Sequence, residues 1–445
     1  MFPPFSQELA HHYCLTLLER LETGALCLKQ IAKESEERKG QGIMAGSLVC
    51  WDNISGKRVI LYAVSGNGKV IVPGTSALRN NEIAVDSLVT QKQVNAALEE
   101  NDLKIHQLTE LINKASGENK KELVKQRTAL TDQSLARIFT LYSFTRFDGK
   151  KITLNEIINQ HSGKLPPAGT GDCCAPKLLS YAFEHNLEPV SMDELYFGPN
   201  TKSKINGNSY APCDERCRYI LPYILGVEIL YRDKDIVVVN KQAGLLSVPG
   251  RGPEKADCVE SRVKKLFPEC VNQPAVHRLD METSGILILA LNKNAHCNLE
   301  RQFEEGTVHK QYIALLDGIL RGKPEGHIEL KFRLDVDNRP HQIYDEENGK
   351  LGITDWKKIK VEKWVNPVSG KEKMVTRIEF SPKTGRTHQL RLAASFEKGM
   401  GIPILGDTLY GNCEEGERLM LHACRIAFRH PSSGELMTFE CAPDF

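Results

Sequence analysis

The rhythm of hydrophobic and polar positions changes three times along the chain. The first stretch, to about Lys39, spaces its apolar residues as a helix does. In "GSLVCWDNISGKRVILYAVSGNGKVIVPG" two apolar segments flank Asn53-Ile54-Ser55-Gly56, which is turn chemistry and predicts a β-hairpin. A second turn at Ser65-Gly66-Asn67-Gly68 predicts a third strand. Between about 86 and 140, Leu88, Leu98, Leu103, Leu108, Leu111 and Ile112 recur at near-helical spacing. "KASGEN" interrupts, and Leu123, Val124, Leu130, Leu135 and Ile138 resume the pattern. This predicts two long helices forming an antiparallel coiled-coil hairpin, either a solvated structural insertion or an arm that touches a partner or RNA. Residues 160–225 are loop-rich. From Gly226 onward short β-branched segments alternate with turns and a few helices, opening with "VEILYRDKDIVVVNKQAGLLSVPG". The pattern places a domain boundary near 225, separating 1–225 from 226–445.

One stretch breaks the ordinary logic of a buried strand. Gly285 to Leu291, "GILILAL", is apolar on both faces, so it reads as a central strand. His277, Arg278 and Asp280 stand directly before it, with Thr283-Ser284-Gly285 as a tight polar turn. In isolation Asp280 would be a turn carboxylate and Arg278 its surface partner. A second polar loop, Thr384 to Gln389, leads into "LRLAA", which reads as the start of a helix. Lys310 and Tyr312 open another strand between the two loops.

Composition narrows the setting. Hydrophobic content is 41% and charged content 26%, as in soluble globular proteins, and no apolar run is long enough to span a membrane. The opening "MFPPFSQELAHHYC" lacks a basic segment followed by an apolar one, so no secretory signal is expected. Thirteen scattered cysteines point to free thiols and a cytoplasmic protein. The net charge of +1, with 32 basic and 32 acidic residues from Gly226 to the end, confines any nucleic-acid surface to a local patch.

The cysteines also raise a metal question. Cys173 and Cys174 in "GTGDCCAPKLLSYA" and Cys213 and Cys217 in "YAPCDERCRYILPYIL" open two stretches that read as helices. Thiols ionise more easily at helix starts, and two such ends could hold a structural zinc ion. Buried inert thiols or a redox pair are the other readings. The arrangement resembles, in part, the zinc-dependent nucleoside deaminases, which place a glutamate two residues after one ligand. Here Ala175 and Pro176 stand at those places, so a working deaminase is not expected.

The motifs HRLDMETSG, KQYIALLDG, TGRTHQLR, PILGDTLYG and LHACRIAFRHP, in this order, resemble the RluA-type RNA pseudouridine synthases over about 229–445. "DVDNRPHQI" points to the subgroup that modifies ribosomal and transfer RNA. The resemblance implies an α/β (α+β) catalytic domain with a mixed, largely antiparallel sheet. The remaining N-terminal part is read as an α/β domain carrying the helical insertion. It implies isomerisation of uridine to pseudouridine within RNA: the C1′–N1 bond breaks, the uracil turns, and C5 bonds to C1′. No catalytic cofactor is needed.

Asp280 matches the family's catalytic aspartate and Arg391 the arginine that pairs with it. Tyr312 matches the active-site tyrosine, whose ring can stack on the uracil and whose hydroxyl can move a proton. Leu390 would pack on the base, and Arg278 would enter the RNA and fill the space of a flipped-out uridine. His277 is read as a structural hydrogen-bonding group, while Lys241, Arg386 and His388 support loops or meet phosphate. The expected partner is structured RNA, ribosomal, transfer or both, with no membrane; oligomeric state and the modified nucleotide are not written in the pattern. The first 225 residues depart from the small S4-type domain often found in the family. A non-catalytic RNA-binding or assembly factor with a vestigial synthase domain is the alternative.

Overall fold

The computed structural model describes residues 5–30, 42–67, 69–161, 163–213 and 215–445. The chain divides into two compact units, Met1–Glu228 and Ile229–Phe445.

The first unit contains α1 (Glu8–Glu22), β1 (Leu26–Gln30), β2 (Ile43–Asp52), β3 (Lys57–Val64), β4 (Lys69–Pro73) and β5 (Glu82–Ala84). These are followed by α2 (Gln91–Lys114), α3 (Gly117–Phe139), β6 (Ser143–Thr145), β7 (Lys151–Thr153), α4 (Leu154–Gln160), α5 (Cys174–Glu184), β8 (Leu187–Phe197) and α6 (Cys217–Leu225). Its main sheet has the order β5-β3-β2-β8. Adjacent strand residues face opposite ways, and β2 uses this to seat a helix on each face. Ala45 belongs to the core that includes Cys14, Leu17 and Leu18 of α1. Gly46 faces α5, where a Cβ would lie 2.8 Å from that of Cys174 and 3.3 Å from Leu178. Only glycine lets α5 come this close.

The hairpin expected around Asn53–Gly56 is present as β2–β3. One expectation is corrected. The first helix ends at Glu22, not near Lys39: Gly24 turns the chain with a φ of +72°, and β1 follows; residues 31–39 of that expectation lie outside the described residues. The third strand expected after the second turn is present as β4, which pairs with β1, while β5 takes the free edge of β3. Gly68 of the expected turn is outside the described residues.

The helices α2 and α3 form a hairpin. Thr90 and Gln93 close a capping box at the start of α2. Asn101 donates from within the seam to Gln133 and Ser134, and Arg137 pairs with Glu100. Ile112 is buried, but Leu103 and Leu111 are 75% and 51% exposed, so the apolar seam is narrower than the spacing of leucines suggests.

The second unit contains β9 (Glu228–Arg232), β10 (Ile236–Lys241), α7 (Val259–Leu266), β11 (Ser284–Ala290), α8 (Lys293–Glu304), β12 (His309–Leu316), β13 (Glu325–Leu334) and β14 (Gln342–Tyr344). It ends with β15 (Lys350–Val365), β16 (Glu372–Pro382), α9 (Gln389–Ser395), β17 (Leu421–Arg429) and β18 (Leu436–Glu440). Its sheet runs β14-β13-β15-β16-β12-β17-β11-β10-β9, with β18 on β17. The expected mixed, largely antiparallel character holds: β11 runs parallel to β17, while the pairs of β12, β13, β15 and β16 are antiparallel. Every residue of β11 is buried, as its apolar run requires. The consecutive neighbours β16, β12, β17 and β11 bring together three segments far apart in sequence: the loop before β11, the start of β12 and the loop from β16 into α9.

Candidate active site

The loop before β11 is fixed at both ends. Ser247 Oγ donates to the Leu279 carbonyl (2.7 Å) and accepts from the Leu279 N–H (3.0 Å). The Thr283 N–H closes a turn onto the Asp280 carbonyl. Gly285 then enters β11 with a φ of +116°, where a Cβ would lie 2.4 Å from the Ala423 carbonyl oxygen of β17. The close β11–β17 pairing therefore demands glycine, and it anchors the loop that carries Asp280.

Asp280 opens onto a cavity of about 580 Å³ lined also by Arg278, Lys310, Tyr312, Arg386, His388, Leu390 and Arg391. Tyr312 lies at a β-bulge between Gln311 and Tyr312 on the β17 side, the kind of irregularity that re-aims a side chain. Burial, with the Asp280 charge second, pushes its hydroxyl well above the usual tyrosine range. Leu390 on α9 is buried in the core formed with β12 and β16. Arg278 and Arg386 are exposed at the cavity.

The expected Asp280–Arg391 ion pair is replaced by another arrangement. Arg391 donates through Nε and Nη2 to both oxygens of Asp407, at 2.9 and 2.5 Å, and Nη2 lies 3.0 Å from Glu282. Burial works against the Arg391 charge, and the hydrogen bonds and charge of Asp407 outweigh it, with Glu282 and then Asp280 contributing. The reason is solvent access. Asp407 is fully buried and needs the guanidinium most, whereas the Asp280 side chain keeps 22% of its exposure.

His388 is the ion-pairing group nearest Asp280 among the described residues, with Nε2 4.0 Å from Oδ1. His388 Nδ1 lies 2.8 Å from the Tyr410 hydroxyl, which also accepts the Gln342 N–H at 2.7 Å. Burial lowers the His388 pKa, against the Asp280 charge. His388 adopts the left-handed region, φ 56°, and caps α9 by its backbone. Lys241 is buried and donates to the carbonyls of Gln242, Leu245 and Met281, tying the loop after β10 to the Asp280 loop. Burial lowers its pKa to about 7, opposed by the Asp280 charge.

His277 faces inward. Its Nε2 accepts the Ile288 N–H at 3.0 Å, and its ring stacks on Phe303 at 4.6 Å. Burial pushes its pKa down to about 3. An unfolded histidine takes up its proton near pH 6.5, so the unfolded state binds more protons throughout this window. The stability this neutral ring contributes above pH 6.5 is lost as pH falls towards 3, by about 1.4 kcal/mol per pH unit. Urea unfolding of the wild type and of His277→Gln between pH 6.5 and 4.5 should show a slope shallower by about one proton in the variant. Equal slopes would refute the burial of a neutral imidazole.

Sequence reasoning gave no role to Asp407, Tyr410, Glu282 or Lys310. All four lie inside quoted motifs, but only spatial proximity shows that Asp407, Glu282 and Tyr410 hold Arg391 and His388. Lys310 lies on the cavity wall with its pKa lowered by burial.

The cysteines of the first unit separate into two groups. The Sγ atoms of Cys173, Cys213 and Cys217 all lie within 4.8 Å of one another. Cys174, read as a fourth member, is turned away: its Sγ contacts the carbonyl oxygens of Met44 (3.3 Å) and Ala63 (3.5 Å) in the sheet. Cys173 caps α5 while Cys174 is its first helical residue, and the helical rotation between them sends the side chains apart. Hydrogen bonds from Cys173 and Cys217 push the Cys213 thiol far down, while the Cys213 hydrogen bond and burial push Cys173 up to about 12, against the Cys217 contact. Glu194 of β8 is buried within electrostatic reach of Cys213, and its Oε1 accepts the Ala175 N–H at 3.0 Å. All thirteen cysteines are free thiols.

Residues 235–396 match the family model for RNA pseudouridylate synthases. The dual-specificity RNA pseudouridine synthase RluA of Yersinia pestis is 44% identical over 220 residues, 49% of this chain and 99% of that protein. The protein of the same name from Escherichia coli K12 is 40% identical over 220 residues, 49% of this chain and 93% of its own length. Human RNA pseudouridylate synthase domain containing 1 aligns with a TM-score of 0.39 and 31% identity, covering 49% of this chain and 83% of that one. With nearly the whole length of the two RluA proteins matched at 40–44% identity, the chain belongs to the RluA-type RNA pseudouridine synthases, enzymes that are isomerases.

Proposed function

We propose that this enzyme converts specific uridines of ribosomal RNA, transfer RNA or both to pseudouridine, with Asp280 as the catalytic carboxylate acting on a flipped-out base. The observation that carries this is the cavity in which Asp280, Tyr312 and Leu390 share one wall system with Arg278 and Arg386 exposed beside them. Tyr312 and Leu390 offer an aromatic and an apolar surface to a uracil. The Asp280 carboxylate serves the anomeric carbon or the base. As the C1′–N1 bond breaks and C5 bonds to C1′, the C5 proton leaves and N1 gains one. Tyr312, whose hydroxyl burial keeps protonated on the cavity wall, is the group proposed to carry a proton. Arg278 fills the place of the extruded nucleotide, and Arg386 and Lys310 meet phosphate.

Arg391 acts as a positioning residue. Its bonds to Asp407 and Glu282 hold the GDTLYG loop against α9, which places His388 and Leu390 around Asp280. The triad Cys173, Cys213 and Cys217 holds one zinc ion. Its support is three sulfurs gathered at the starts of two helices, with Cys174 left out. The free thiols suit a reducing cytoplasm, and no described helix is long and apolar enough to cross a membrane.

The test is a map of pseudouridine in total RNA from cells lacking the protein, compared with the parent. One or a few positions in ribosomal or transfer RNA should revert to uridine, and the wild-type gene should restore them. An unchanged map would sink this reading.

A further inference from the structure

A zinc site closed by four protein ligands serves structure, whereas three ligands and an exchangeable position suit chemistry. The first unit offers three. Cys173 stands at the start of α5 and Cys217 at the start of α6, with Cys213 just ahead on the exposed side of the cluster. Cys174 is committed to the sheet carbonyls on the far side of its helix. One coordination direction is thus left without a thiolate, on a cluster that solvent reaches at Cys213.

A second observation falls at the same place. Glu194, 4% exposed, comes from the middle of β8, and its carboxylate is received by the N–H of Ala175, two residues after Cys173. Zinc hydrolases that act on amino-substituted bases carry a glutamate on the residue two after a ligand, where it exchanges protons with the metal-bound water. Here that position is an alanine, and its backbone N–H binds a carboxylate delivered from another strand. Glu194 lies outside the mutually close set of three thiols but within electrostatic reach of each of them, near enough for a partner of bound water.

We infer that the zinc held by Cys173, Cys213 and Cys217 keeps its fourth position for an exchangeable water or small anion, with Glu194 beside that position. The inference rests on the zinc reading above and replaces a closed structural site with an open one. Water held at that position would have Glu194 as the group with which it exchanges a proton.

The full-length protein, purified under reductant, should contain one zinc per chain. Cys213→Ser should lose at least nine-tenths of it, and Cys174→Ala should keep it. After cobalt exchange, adding azide should shift the visible d–d bands of the wild type. Burial raises the Glu194 pKa to about 8, so at pH 9, where the wild-type carboxyl is ionised, Glu194→Gln should bind cobalt fully and take azide at least tenfold more tightly than the wild type. Absence of metal, with two of the cysteines joined in a disulfide, overturns the zinc reading and this inference together. Metal that is lost in Cys174→Ala, or bands indifferent to azide, overturns only the open site. Unchanged azide affinity in Glu194→Gln overturns the placement of Glu194.

Discussion

Asp280→Asn is expected to lower single-turnover isomerisation by at least about a thousandfold while RNA affinity stays within about twofold. A factor of a thousand corresponds to about 4 kcal/mol of barrier. The substitution keeps shape and removes charge. The surroundings are arranged around that charge: it acts on Lys241, Tyr312, His388 and Arg391 from three separate segments. Among the described residues no side chain donates a hydrogen bond to the carboxylate, so it is not tied up in holding the fold and is open to the cavity. RNA affinity should come mainly from phosphate contacts at exposed cations such as Arg278 and Arg386, which the change leaves alone. Release of tritium from C5-labelled uridine in a transcript reads turnover, and a gel shift reads binding. Turnover near the wild-type rate would remove Asp280 from the chemistry, whereas matching losses in both assays would make it a binding residue.

The fold around this carboxylate was legible where one local pattern had one physical outcome. The run from Gly285 to Leu291 could only be a strand buried on both faces, and β11 is buried throughout. The apolar spacing after Gln389 reads as a helix, and α9 spans Gln389–Ser395. What the pattern could not carry was the choice among competing partners. Arg391 has five donors, and three carboxylates stand near it; which of them it holds depends on relative burial, a property of the assembled unit. Asp407 wins because it is sealed from water.

The same limit explains the first unit. Helical spacing runs on past Glu22 in the sequence, but Gly24 and the pairing of β1 with β4 end the helix. Two adjacent cysteines look equivalent in a string, and only the start of a helix between them decides which meets the other thiols. A glutamate sought two residues from Cys173 is found instead on β8, because a hydrogen bond to Ala175 can be made from any element that passes nearby.

The Arg391–Asp407 pair leads to the largest expected stability effect. Arg391 is 2% exposed and Asp407 is fully buried. Besides its two bonds to the guanidinium, Asp407 accepts the N–H groups of Leu409 and Tyr410 at 2.9 and 3.0 Å. Asp407→Ala would leave a buried guanidinium with Glu282 alone and two backbone donors unmatched. Removing one partner of a buried ion pair costs about 3–5 kcal/mol, because the other charge stays behind. Pairing Asp407→Ala with Arg391→Met removes the stranded charge as well, and about 2 kcal/mol should return. Part of the loss remains, since the Leu409 and Tyr410 N–H groups are still unmatched. Urea unfolding followed by Trp356 and Trp364 fluorescence, in a Trp51→Phe background, reports on the second unit. A loss below about 1 kcal/mol in the single variant, or a double variant no more stable than the single, would mean that the pair does not hold the loop. The activity of the double variant then separates stability from positioning. If Arg391 serves only to fix the loop that carries His388 and Leu390, turnover should fall in proportion to the disorder of that loop. A double variant that is stable yet inactive would instead place the guanidinium charge itself in the reaction.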